Sequence, residues 1–469
     1  SVFNSDFGPW FDWYFWGVIS NSGSFYFDDA QLTRWRTHKM SYDVVHGQKN
    51  TEEEIDGKKK DIISALLQQN VSASKVIAFY LPQFHPIKEN NEWWGEGFTE
   101  WTNVASATPL YDGHQQPKIP KDLGFYDLRL KEVQERQAAM AKMYGISGFC
   151  YYHYWFEKGR KLLSDPIESM LKNKNINIDF CICWANEPWT RAWDGLQRDV
   201  LIDQKYGNKS EWRQHFDYLL TFFKDGRYIR VDNKPMLLIY RIGHIPEINK
   251  MLNYWRELAL ENGLNGLHIV GAYSNSFNDD NDFYSYDIDA IYEFAPNCCQ
   301  VENYQKGGVS HIDYSRIWEE VITLPKIYKT QYLGGFVSWD NTPRRGKNGL
   351  VIENSSPKLF QKYLKYQIDR SAKRGGIVFL NAWNEWAEGC YLEPDQKNGS
   401  KWLEAVSRAR SIEENPSEEL LKLNKGWLFE KIRELHSDVI LGIRLLKREG
   451  LRSFTRRTYY YILGIKIPK

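Results

Sequence analysis

KVIAFYLPQFHP, residues 75 to 86, decides the fold. After Lys75 the first six residues are apolar, small or aromatic, the composition of a strand covered on both faces. The strand runs into LPQFHP and not into a phosphate-cradling glycine turn, and neither GxGxxG nor GxxxxGK[ST] occurs anywhere in the chain. A dinucleotide or NTPase sheet therefore loses its main sequence support. Seven further runs of the same kind follow, at 146–152, 179–184, 236–240, 268–272, 290–294, 335–339 and 377–382, with the first strand expected at 76–81. Helical periodicity falls between most of them, at 128–144, 161–173, 209–224, 246–262, 313–329 and 357–374. Eight strands alternating with helices predict a parallel sheet closed into an α/β (β/α)8 TIM barrel.

Outside that core, three segments are expected: an N-terminal extension over 1–74, the catalytic barrel over 75–412, and a helical basic C-terminal extension over 413–469. The first is aromatic and then charged, ending in the short helical pattern DIISALLQQN, and reads equally as a small cap or a linker. The last 26 residues, 444–469, carry eight Lys/Arg against one Glu, interleaved with Leu, Phe, Tyr and Ile. That composition suits peripheral contact with an anionic membrane, and equally a helical lid with solvated charges. The whole chain of 469 residues has 61 basic and 60 acidic side chains, a net charge of +1, so nucleic acid is not an expected partner. Six cysteines, mostly inside apolar runs, point to free thiols in a reducing compartment, and the start has no basic n-region, so a cytoplasmic location is expected, at the inner face of the membrane if the tail binds it. The 19 Trp, 29 Tyr and 24 Phe make up 15% of the chain, more flat faces with polar edges than a core requires, which points to sugar stacking.

Active sites of such barrels are built where the strands end. Polar and aromatic residues gather at every one of these ends: Gln83 and His85; Tyr151, Tyr152, His153, Tyr154 and Trp155; Trp184, Asn186, Glu187, Trp189 and Arg191; Tyr240 and Arg241; Tyr273; Glu293; Trp339, Asp340 and Asn341; then Trp383, Asn384, Glu385, Trp386 and Glu388. The insertion NEWWGEGFTEWTNV, 91–104, adds Trp93, Trp94, Glu100 and Trp101 and reads as a substrate-covering loop. Trp93, Trp94, Trp101, Trp155, Trp184, Trp189 and Trp339 are expected as stacking walls, and Gln83, His85, His153, Asn186, Glu187, Asp340 and Asn341 as hydroxyl binders.

The sharpest signal is NAWNEWAEGCYLEPD, 381–395. Carboxylates three residues apart lie about 5 to 6 Å apart on a helical turn, close to the roughly 5 to 5.5 Å of a retaining glycosidase pair. Their mutual repulsion raises one pKa and keeps that group protonated near neutrality, so Glu385 and Glu388 are the expected catalytic pair. WANEPW, 184–189, offers a competing pairing of Glu187 with Glu385, or a Glu187 that binds a hydroxyl or pairs with Arg191. Metal signals are poor: Asp279, Asp280, Asp282, Asp287 and Asp289 have DxD spacings, but HExxH, paired CxxC and GxSxG are absent, so no metal and no cofactor is expected.

The motifs AFYLPQFHPI, EWWGEGFTEWTNV, LGFYDLR, GFCYYHYWF, CWANEPWTRAWDG, WDNTPRRG and NAWNEWAEGCYLEPD, in this order over about 75–410, resemble the WbsX-like family of surface-polysaccharide and lipopolysaccharide biosynthesis, related to glycoside hydrolase family 99. The resemblance implies a metal-free (β/α)8 barrel acting with retention at α-mannosides. It implies Glu385 as the base that deprotonates the sugar 2-hydroxyl, giving a 1,2-anhydro intermediate, and Glu388 as acid/base. The motif departs at Ala387, where those hydrolases carry His. The expected substrate is an oligosaccharide or polysaccharide. A nucleotide-sugar- or lipid-linked-sugar-dependent glycosyltransferase and a non-catalytic glycan-binding barrel are the alternatives.

Overall fold

The computed structural model describes residues 74–191, 196–275 and 282–411. The extensions expected over 1–74, Ser74 apart, and over 413–469 lie outside these residues, as do Asp279 and Asp280.

Eight parallel strands close on themselves. They are β1 (Lys75–Tyr80), β2 (Gly148–Trp155), β3 (Asp179–Trp184), β4 (Lys234–Ile239), β5 (His268–Tyr273), β6 (Ala290–Glu293), β7 (Gln331–Phe336) and β8 (Ile377–Asn381). Each pairs with its neighbours in sequence, and β1 closes the ring by pairing β2 on one side and β8 on the other, with Ile77 opposite Gly148 and Lys75 opposite Ile377. The expected (β/α)8 barrel is present. Burial explains the near-continuous apolar runs, since every strand is covered by helices outside and side chains inside. Rings from four strands meet in the lumen: Phe79 of β1 stacks on Tyr152 of β2 at 5.3 Å, and Tyr292 of β6 and Phe379 of β8 lie 5.5 and 5.8 Å from Phe79.

The strand at β7 begins earlier than its sequence suggests. The strand expected at 335–339 takes in Gln331 to Gly334 as well and ends at Phe336; its two glycines sit where a Cβ at Gly334 would meet the Glu293 carbonyl and one at Gly335 would meet Trp318. Glu293, expected at an active strand end, turns away instead. It accepts from Gln331 Nε2 at 2.7 Å and from the Gly334 amide at 3.0 Å, so it fastens β6 to β7, and burial raises its pKa.

The outer helices are α1 (Lys131–Met143), α2 (Asp165–Lys172), α3 (Lys209–Phe223), α4 (Ile248–Glu261), α5 (Tyr314–Thr323), α6 (Pro357–Ser371) and α7 (Lys401–Arg410). Local chemistry sets their starts: Asn208 and Glu211 form a reciprocal cap on α3, Asp313 accepts from Ser315 and Arg316 on α5, and Ser356 precedes Pro357 on α6. Above β6 to β8 sits a small four-stranded sheet made of Tyr304–Lys306, Val309–Asp313, Trp339–Asp340 and Leu350–Glu353. It carries Trp339 to the barrel mouth.

Candidate active site

The ends of β1, β7 and β8 are neighbours through barrel closure, and each sends a charged side chain to one point. After β8, Asn384 is held on both sides of Leu81: its Oδ1 accepts from the Leu81 amide at 2.7 Å and its Nδ2 donates to the Leu81 carbonyl at 3.0 Å. That strut fixes the start of a short 3-10 turn, Trp386–Glu388, flanked by Glu385. Behind the turn the fully buried Glu393 accepts from Trp386 Nε1 at 2.6 Å, Gln137 Nε2 at 2.7 Å and the Tyr126 hydroxyl at 2.8 Å. Gly389 ends the turn at φ 61°, and Lys118 Nζ and the Asp340 backbone occupy the space a Cβ would need.

Arg344, on the short helix Thr342–Arg345 after β7, joins three carboxylates. Its Nε donates to Glu100 at 2.7 Å, its Nη1 to Glu388 at 2.6 Å and its Nη2 to Glu385 at 3.2 Å. The Glu100 side chain is fully enclosed, Glu385 is 7% exposed, and Glu388 keeps 23% of its side chain open. Burial, then the adjacent Glu388 charge, pushes Glu385 up to about 8 against the pull of Arg344. Burial raises Glu388 as well, with Arg344 and Arg345 opposing and Glu100 assisting. Burial works to strip the proton from Arg344, and the three surrounding carboxylates override it, so the guanidinium stays charged. The two glutamates titrate as a pair that retains a proton near neutrality.

These groups floor a cavity of about 470 Å³. Of the residues expected from sequence, Gln83, Tyr152, Glu187, Trp189, Tyr240, Trp339, Asn341, Glu385 and Glu388 line it. Glu187 pairs with Arg241 at 3.5 Å rather than with Arg191, whose guanidinium lies over the Trp94 ring. Glu100 acts on the site through Arg344.

Others are placed elsewhere. His153 lies against His215 at 3.0 Å, and burial lowers its pKa to about 3; Trp155 stacks on the same His215. Trp184 donates to the Trp155 carbonyl, and Asn186 bridges to the Arg241 backbone. Trp101 packs in a cluster with Phe84, Tyr126 and Trp386, while Trp93 meets Trp189 edge-on and Trp94 meets Phe98. His85, Trp383 and Asn384 are buried beside the wall and not in it. Asp340 faces away, taking His114 at 3.1 Å, Gln116 at 2.7 Å and Lys118 at 3.3 Å, and these partners hold its carboxyl well below the usual range. Burial separates these residues from the cavity: His153, Asn186 and Asp340 satisfy neighbours instead of facing the opening.

Sequence reasoning gave no role to Arg344, Arg345 and Asn297, and placed Tyr154 and Phe294 at strand ends without assigning them to the site; all five are on the wall. The signal for Arg344 was present: two buried carboxylates at the end of one barrel strand require a cation, and the adjacent strand end supplies PRR. Among the described residues no group of His, Cys, Asp and Glu is arranged to hold a metal. Asp287 and Asp289 are clamped by Arg256, at 2.7 and 3.1 Å. Among the described residues no helix is long and apolar enough to cross a membrane.

The chain resembles "Uncharacterized protein WxcX" of Xanthomonas campestris pv. campestris, in strains ATCC 33913 and B100, with 39% identity over 349 residues, 71% of this chain and 49% of the relative. It thus spans about half the length of these curated relatives. Similar solved structures include a "Glycoside hydrolase-like protein" (14% identity, 73% of this chain and 95% of that one, TM-score 0.48). A GH99 endo-alpha-mannosidase from Bacteroides thetaiotaomicron is another (15% identity, 75% and 98%, TM-score 0.46). The model of the family described as "Glycosyltransferase WbsX" matches residues 76–406, and this chain belongs to that family.

Proposed function

We propose that the barrel is a carbohydrate-active enzyme of surface-polysaccharide metabolism that acts on a glycosidic bond with net retention. The observation that carries the reading is the Glu385 and Glu388 pair sharing one guanidinium on the floor of an open cavity. In the first step Glu388 protonates the departing glycosidic oxygen while Glu385 takes the proton of the sugar 2-hydroxyl. The C1 to leaving-oxygen bond breaks as O2 bonds to C1. In the second step water or an acceptor hydroxyl attacks C1 as the C1–O2 bond breaks, Glu388 receives the nucleophile's proton, and Glu385 returns the proton to the departing O2. Burial raises both carboxyls, so the pair shares a proton; donation from the sugar 2-hydroxyl stabilises the ionised form of Glu385 and favours the proton on Glu388. Tyr152, Tyr240 and Trp189 offer ring faces and hydroxyls, and Gln83 and Asn341 offer amides.

Transfer from a phosphate-activated donor is the second reading, favoured by Arg345, an exposed cation on the cavity wall. The test incubates the protein, with Glu388→Gln as control, with α-manno-oligosaccharides and cell-surface glycans, and separately with nucleotide sugars plus lipid-linked acceptors. Mass spectrometry reads the products. Shortened glycans that vanish in the variant support hydrolysis. Released nucleotide with an extended acceptor supports transfer, and no product in either arm overturns both.

A further inference from the structure

A second cavity, of about 560 Å³, lies beyond Trp339, which lines both it and the cavity of the carboxylate pair. Its walls come from residues 111–119, the small upper sheet, and the segment 391–402. It is larger than the first cavity and of the size that holds small ligands. Charge on its lining nearly balances. Asp340 holds His114, Gln116 and Lys118; Glu353 takes Lys306 and the Tyr304 hydroxyl, both at 2.6 Å; Asp395 takes neutral partners, the Tyr391 hydroxyl at 2.8 Å and the Asn398 amide at 3.1 Å. With Asp112 and Lys397 also on the lining, four carboxylates stand against three lysines, so neither an anionic nor a cationic ligand meets a large excess of opposite charge. Gln115, Ser355 and Gln396 line the cavity as well. Amides and a hydroxyl on a nearly balanced lining are suited to uncharged hydroxyl-rich ligands.

The shared wall adds an independent observation. Trp339 is 6% exposed, and its indole N–H has no partner among the described residues. An unpaired buried donor is costly, and a sugar hydroxyl arriving beside Trp339 would satisfy it.

We propose that this second cavity is a binding site for uncharged sugar units of a glycan whose reacting linkage lies at the carboxylate pair, the chain crossing at Trp339. This rests on the function proposed above, but its test does not require turnover. Binding of neutral manno-, gluco- and rhamno-oligosaccharides of two to six units is measured by titration calorimetry on Glu388→Gln. Gln115→Trp and Ser355→Trp fill the cavity in the same background, and Gln115→Ala with Gln396→Ala removes amides without adding bulk. Near-ultraviolet circular dichroism checks that each variant keeps the parent fold. At least one series is expected to tighten tenfold or more with length, and the filling variants to abolish that gain, the amide variant reducing it about threefold. Affinity independent of length in every series, or a length gain untouched by filling and amide removal, overturns the proposal. If the length gain is lost on filling while the active protein yields no product from any substrate, the inference stands and the proposed chemistry fails.

Discussion

Nη1 of Arg344 stands 2.6 Å from Oε1 of Glu388, and the same guanidinium reaches Glu385 and Glu100. Removing that charge takes from the three carboxylates the guanidinium they share and leaves Arg345 as the remaining cation acting on Glu388, so both pKa values of the pair rise. Arg344→Met is expected to lower kcat/KM by roughly 10²- to 10³-fold, as loss of a preorganised charge in a closed site does. The acidic limb of its pH profile moves to higher pH. An unmoved limb with a merely smaller amplitude would assign Arg344 to packing.

The roles within the pair separate by leaving group. Glu388→Gln should lose roughly 10²- to 10⁴-fold on substrates with poor leaving groups and far less on an activated aryl glycoside, which needs no proton. Glu385→Gln should lose similarly on both. The reversed pattern would exchange the two roles, and a larger loss in Glu187→Gln than in Glu388→Gln would move the acid to β3.

Stability should fall with rising pH through the buried acids. Glu385 stands near 8 and Glu393 near 7, against 4.5 when unfolded. Below 4.5 both are protonated in both states and their contribution is present in full. Above it the unfolded chain ionises first, and the contribution of each group is lost as pH rises toward 7 and 8, by about 1.4 kcal/mol for every step of one in pH. Melting curves from pH 5 to 8 should show Glu385→Gln and Glu393→Gln gaining on the parent as pH rises. A constant gap between variant and parent would refute the sign.

Asn384→Ala leaves the Leu81 amide and carbonyl unpaired inside the barrel. The expected cost is about 1 to 3 kcal/mol for each stranded group, read by urea denaturation, with activity falling more than in a surface control. A loss of activity with full stability would give Asn384 a direct part in substrate contact.

The periodicity of apolar runs carried the barrel because burial on both faces of a parallel strand leaves little room for polar residues. Strand β7 was expected at 335–339 and lies at Gln331–Phe336, where Gly334 and Gly335 allow the close approach of Glu293 and Trp318. Site residues read from strand ends separate by depth. Glu385, Glu388 and Glu187 open to the cavity, while His153, Asn186 and Asp340 are just as polar but satisfy buried neighbours. Sequence shows that a residue is polar and near a strand end; it does not show which way the loop turns it. Arg344 was visible only as part of WDNTPRRG and was given no role, because only the pairing of β7 with β8 brings it above the carboxylates.

The pairing of Glu100 with Arg344 spans 244 residues of chain. During synthesis at about 5 to 20 residues per second, Glu100 is therefore made well before its counter-ion. It can be buried only after β7 and β8 have emerged and the ring has shut. A nascent barrel short of β8 carries that carboxylate in water, so the ion cluster is also a gauge of completed closure.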